Sequence, residues 1–163
     1  MTAVGAPPLP AGLALLLGSP ESADAVFRAA GMRLRAEFRV IGESAAVCQD
    51  STVPGDPLRY FNQVFLIAEP ALAATTPALA DDGDDSDRGD GGDGIDAGRA
   101  LRQRLKALEA ELGRTPGQSP PVIDIDLLCR FDAGGQVRWQ DADKLRHRLF
   151  RSLLASALPG WPV

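Results

Sequence analysis

Apolar and polar positions along this chain follow two different rhythms, and their alternation outlines the fold. Leu13–Gly18 (LALLLG) is an unbroken apolar run ending in glycine, the pattern of a strand buried on both faces. Ser19, Pro20 and Glu21 follow as cap, first helical position and first-turn acid, so the spacing predicts a helix with Ala23, Val26, Phe27 and Ala30 inward and Gly31 as its stop. Arg35–Ile41 reads as a second strand, with Ala45–Cys48 either extending it or pairing with it. Gln49–Leu58 is dense in turn formers, and Tyr60–Ala68 is an aromatic and β-branched strand carrying the isolated polar residue Asn62.

Helical periodicity returns at Arg99–Leu112, where Leu101, Leu105, Leu108 and Leu112 form one stripe and Gly113 closes it. A loop with three prolines, Arg114–Pro121, leads to the strand Val122–Leu128. Gly134 and Gly135 mark a turn, Gln136–Trp139 returns as a short strand, and Asp143–Leu158 reads as a final helix with Leu145, Leu149, Phe150 and Leu153 inward. Such irregular alternation, with a hairpin, predicts an α+β fold in which helices cover a mixed or antiparallel sheet. The chain is expected to form one domain over residues 1–163, interrupted by a disordered acidic insertion at 75–98.

That insertion changes how the charge is read. The net charge is -5, but Asp81–Asp96 holds eight aspartates and one arginine, so the remainder carries +2. The body of the protein then suits an anionic small ligand, and no basic footprint for nucleic acid is present. Within the insertion, Gly91–Asp96 (GGDGID) matches one copy of a calcium-binding repeat that works only in stacks, so a solvated linker is the expectation. Two cysteines, Cys48 and Cys129, give neither a disulfide framework nor zinc spacing, which points to a reducing cytoplasm. His147 is the single histidine, excluding sites that need several imidazoles. Leu9–Gly18 is short and follows no basic residue, so neither a signal peptide nor a membrane segment is expected there.

The candidate chemistry lies in I-D-I-D-L. On a strand Asp124 and Asp126 share one face while Ile123, Ile125 and Leu127 take the other, with about 6.5–7 Å between alternate Cα atoms. The same alternation describes a strand whose polar face merely meets water. Two carboxylates this close repel and resist burial, and a hard divalent cation with phosphate oxygens relieves both penalties.

The ordered set Gly18-Ser19, Tyr60-Phe61-Asn62, Leu105–Arg114 (L-x-x-L-E-x-x-L-G-R), I-D-I-D-L-L and Arg148-Leu149-Phe150 through Leu158-Pro159 resembles the 6-hydroxymethyl-7,8-dihydropterin pyrophosphokinases of folate biosynthesis. The resemblance implies a ferredoxin-like fold and transfer of pyrophosphate from ATP to a dihydropterin, with Asp124 and Asp126 holding two magnesium ions. It implies catalytic roles for Asp124, Asp126 and Arg114, ATP contacts for Glu109, Arg114 and Arg148, and a pterin pocket built from Tyr60, Asn62 and Phe150. A monomer with ATP and a pterin as its only partners is expected. The chain departs from the family at Thr115–Pro121 (TPGQSPP), which carries no arginine or tryptophan, at Asp141–Lys144, at Cys48–Val53 and at Pro20. Arg130, Arg138, Arg146 and Arg151 are the available replacements for the missing phosphate ligands. The alternative is an impaired relative that binds a nucleotide, a pterin or another protein; an unrelated module with a chance D-x-D is the third reading.

Overall fold

Gly12–Pro20 (β1) is the central strand of the sheet, paired antiparallel to Arg59–Ala68 (β4) on one side and to Asp124–Phe131 (β5) on the other. The computed structural model describes residues 9–69 and 92–161, without the side chains of 92–97. Val40–Glu43 (β2) and Val47–Asp50 (β3) both pair with β4, and Val137–Gln140 (β6) forms a hairpin with β5. The order β2-β4-β1-β5-β6 is all antiparallel. Helix α1 (Asp24–Glu37) follows β1 and helix α2 (Gly92–Glu111) precedes β5, so β1, α1, β2, β4, α2 and β5 follow the β-α-β-β-α-β order of a ferredoxin-like fold, to which β3, β6 and helix α3 (Arg148–Ala157) are additions.

Strand alternation sorts the core into two layers. Leu13, Leu15 and Leu17 of β1 join Phe65, Ile67, Ile123 and Ile125 beneath α1 and α2, which contribute Phe27, Ala30, Leu34, Leu101, Leu105 and Leu108. Ala14 and Leu16 face the other way, with Val64, Leu66, Leu128, Cys129 and Phe131, under Phe150, Leu153, Leu154 and Ala157 of α3. Each such buried side chain contributes on the order of 1.5–3 kcal/mol. A bulge keeps β5 in step: Leu15 pairs with Leu127 and Ala14 with Cys129, so Leu128 is the extra residue. Beyond it Cys129 and Phe131 turn to the α3 side.

Several boundaries differ from the sequence expectation. Ser19 does not cap a helix; its hydroxyl donates to the Val122 carbonyl at 2.6 Å, and a 3-10 turn at Glu21–Ala23 precedes α1. Gly31 does not stop α1, which runs on to Glu37. It is buried opposite Phe65, whose ring would lie in ordinary contact, 3.5 Å, from a Cβ at that position, so the helix runs through it against the sheet. The second strand therefore starts at Val40 rather than Arg35, and β3 adds to β4 instead of pairing with β2. Helix α2 begins at Gly92 rather than Arg99, within the stretch expected to be an acidic insertion; the part from 75 to 91 lies outside the described residues. The last helix is broken. Asp141 accepts the N–H groups of Asp143 and Lys144, a 3-10 turn spans Lys144–Arg146, and His147 is extended before α3 starts. Among the described residues no helix is long and apolar enough to cross a membrane.

Candidate active site

Helices α1 and α2 cover one face of the sheet; α3 covers only part of the other, and the uncovered part is a cavity of about 470 Å³. Its floor is set by register. Gly18 pairs with Asn62 on one side and with Asp124 on the other, and Leu16 pairs with Val64 and Asp126. The central strand thus presents only hydrogen between the amide and the carboxylate. A Cβ at Gly18 would stand 3.5 Å from Asn62 Oδ1, so the glycine leaves open space where any other residue would fill the floor.

Five of the sequence candidates line this one cavity: Tyr60, Asn62, Asp124, Asp126 and Phe150. Tyr60 donates its hydroxyl to Asp56 Oδ2 at 3.0 Å, which fixes the ring at the mouth. Burial and this bond hold the phenol above its ordinary pKa. Asn62 is buried and donates weakly to the Tyr60 carbonyl at 3.4 Å. Phe150 is 9 % exposed, belongs to the α3-side core and meets His147 edge-on, with ring centroids 5.4 Å apart.

Glu109 and Arg114 build the site without lining the cavity. Glu109, 1 % exposed, accepts the Ile125 N–H at 2.7 Å, between the two aspartates in sequence. It also accepts from Arg114 Nη1 at 2.7 Å and from Lys106 Nζ at 3.0 Å. The same Arg114 nitrogen reaches Asp124 Oδ1 at 2.5 Å. The end of α2 is thereby pinned to the strand that carries the carboxylates. Gly113, with φ of +99°, ends α2 and turns the chain so that Arg114 folds back. Arg148 is placed elsewhere, exposed on α3 and outside the cavity.

The two aspartates differ in electrostatics. Burial pushes Asp126 up, a hydrogen-bonding contact with Asp124 adds to it, and Lys144 opposes both; the outcome is about 6. For Asp124 burial also pushes upward, but the bonds to Asp126 and Arg114 outweigh it and hold the carboxyl below its usual range. Lys144 Nζ lies 2.7 Å from Asp126 Oδ2, and despite burial this partner raises the ammonium pKa.

Lys144, His147, Asp143, Asp56 and the Pro120-Pro121 pair also line the cavity, and sequence reasoning did not offer them as site residues. The prior signals were the unusual Asp141–Lys144 and Thr115–Pro121 segments and the single histidine. Around Asp126 a second hollow of about 240 Å³ opens, lined by Arg102, Lys106, Trp139, Asp141 and Lys144. Trp139 is 42 % exposed there, whereas Trp161 packs against the α3-side core. None of the four expected replacement arginines lines either space. Arg130 pairs with Glu69, Arg138 with Asp132 and Arg146 with Asp143, while Arg151 is exposed on α3. The cations beside the aspartates are instead Arg102, Lys106, Lys144 and Arg114.

Among the described residues no group of three or more His, Cys, Asp or Glu side chains converges as a metal cage. The donor set is two carboxylates open to a cavity. That set fits magnesium, which keeps several waters and binds through one or two carboxylates plus phosphate oxygens. Comparison with protein-family models and with curated proteins finds no match for this chain.

Proposed function

We propose that this protein is an ATP-dependent diphosphokinase that transfers pyrophosphate to 6-hydroxymethyl-7,8-dihydropterin. One observation carries the proposal: Tyr60, Asn62, Asp124, Asp126 and Phe150, far apart in sequence, line a single cavity of about 470 Å³. An aromatic ring and one buried amide suit a flat heterocycle with donors and acceptors on its edge. The carboxylate pair lies across Gly18 from that amide, where a substrate hydroxymethyl group would meet a polyphosphate. Magnesium on Asp124 and Asp126 would neutralise phosphate charge and align the displacement that releases AMP. Arg114 and Glu109 hold Asp124 and β5 in place, and Lys106, Arg102 and Lys144 offer phosphate contacts that the Pro-rich loop lacks. Trp139 gives the second hollow an aromatic wall of the kind that stacks on a base. Both cysteines are free thiols, which accords with a cytoplasmic enzyme.

A coupled assay for AMP with ATP, magnesium and the hydroxymethyldihydropterin tests this. AMP release above that of the Asp124→Ala/Asp126→Ala double variant is expected, and no difference between the two overturns the enzyme reading. Two observations favour a second reading, a binding protein without turnover: Arg114 is engaged by Glu109 and Asp124, and Arg148 does not line the cavity. Calorimetric binding of pterin or nucleotide with no AMP release would select it.

A further inference from the structure

The carboxylates at this end of β5 are already met by protein cations, one for one. Arg114 Nη1 stands 2.5 Å from Asp124 Oδ1 and 2.7 Å from Glu109 Oε2; Lys106 Nζ stands 3.0 Å from Glu109 Oε2 and 3.7 Å from Asp124 Oδ1. Lys144 Nζ stands 2.7 Å from Asp126 Oδ2. Their attachments differ. Arg114 and Lys106 share Glu109, itself anchored on the Ile125 N–H. Lys144 has Asp126 as its one carboxylate within ion-pair distance among the described residues. Its backbone is fixed nonetheless, because the Lys144 N–H donates to Asp141 Oδ1 at 3.0 Å.

Each aspartate therefore spends one oxygen on a protein cation. The closest cation contacts fall on Asp124 Oδ1 and Asp126 Oδ2, while the two carboxyls stand in hydrogen-bonding contact with each other. A single divalent cation chelated between the two carboxylates would take the place of that contact. A second ion on the outer side of Asp126 would have to take the place of the Lys144 ammonium. Lys144 also borders both hollows, so its charge reaches the space beside either flank of the carboxylate pair.

We infer that Lys144 stands in for one of the two divalent cations implied by the dihydropterin pyrophosphokinase resemblance, leaving a site for a single divalent cation between Asp124 and Asp126. The inference rests on the diphosphokinase reading for the presence of a metal. An ammonium brings only one charge and cannot polarise a phosphate as a Lewis acid does, but it is built in and needs no recruitment. Lys144 is a positioning residue here, holding Asp126 and supplying fixed positive charge.

The test is manganese stoichiometry, read as free Mn2+ by electron paramagnetic resonance, with a non-hydrolysable ATP analogue present. One Mn2+ per wild-type chain and two for Lys144→Met are expected, with Lys144→Arg returning the count to one. Lys144→Ala serves as a second removal, and circular dichroism checks that each variant folds. Without nucleotide, Lys144→Met should bind Mn2+ roughly tenfold more tightly, the scale of losing one charged competitor. Two Mn2+ on the wild type, or one on both wild type and Lys144→Met, overturns the inference and leaves the diphosphokinase reading standing. Manganese bound by none of the proteins overturns both.

Discussion

The Glu109 carboxylate accepts the backbone N–H of Ile125 at 2.7 Å, so a buried side chain of α2 grips β5 between its two aspartates. This bond places Glu109 behind the site rather than in it. Glu109→Ala would leave Arg114 partly buried without one partner and the Ile125 N–H unmet, at a cost of about 3–5 kcal/mol in denaturant unfolding. Glu109→Gln keeps an oxygen for Ile125 and should cost less than half as much. If Glu109 instead touches nucleotide, Glu109→Gln will raise the KM for ATP sharply while leaving stability unchanged.

Gly18 separates Asn62 from Asp124 by one strand, and its missing side chain is the open floor of the cavity. Its backbone is ordinary extended chain, so substitution meets space limits and no φ penalty. Gly18→Val should therefore fold, losing no more than about 1–3 kcal/mol as an overpacked site does. Its branches would fill the floor and weaken pterin binding by about tenfold or more, the scale set by one displaced buried contact. Fluorescence titration with 6-hydroxymethylpterin reads the affinity; unchanged binding would move the pterin pocket elsewhere.

Phe150 serves both the α3-side core and the cavity wall, and two substitutions separate these roles. Phe150→Ala removes both and should cost about 3–5 kcal/mol. Phe150→Leu keeps most of the volume, costing less than about 1.5 kcal/mol, but removes the flat ring. A pterin affinity that falls for Phe150→Leu at near-normal stability identifies the ring as a platform. Equal affinity for wild type and Phe150→Leu would reduce Phe150 to packing.

The parts of the structure that depend on neighbours along the chain are legible from sequence. Asp124, Asp126 and Asn62 sit on strands whose alternation fixes their face, and Leu101, Leu105 and Leu108 show their stripe directly. What escapes is set by contacts across the fold. Leu145, Leu149 and Leu153 keep a helical rhythm straight through His147, which hides the break there; the Asp141 side chain, by capping its own short turn, causes it. Gly31 looks like a stop but is buried within α1, where the packed helix runs on to Glu37. Lys144 carries no local mark of its pairing with Asp126, because that pair depends on where the turn before α3 lands on the sheet. The four arginines offered as phosphate ligands have carboxylates or solvent beside them instead, and only the folded chain brings Arg102 and Lys106 to the strand end.

Asp126 gives the metal-free protein an unusual dependence on pH. Its carboxyl is raised from an unfolded value of 3.8 to about 6, so between those values the folded protein holds a proton that the unfolded chain has released. Stability must then fall as pH rises from about 4 to about 6, by on the order of 2–3 kcal/mol. Asp124 and Asp56 are shifted the opposite way, and their contributions are lost only as pH falls below 3.8; those of Glu37 and Glu111 are lost as pH falls below 4.5, so they oppose the Asp126 slope only at the acid edge of this window. Asp126→Asn should flatten the slope between pH 4 and 6 and raise stability at pH 7. Magnesium or manganese with an ATP analogue should stabilise the wild type more at pH 7.5 than at pH 5, because at the lower pH a proton competes for Asp126. Thermal unfolding across pH, with and without metal, checks both slopes. An unchanged profile in Asp126→Asn would mean that the proton taken up near pH 6 belongs to another group.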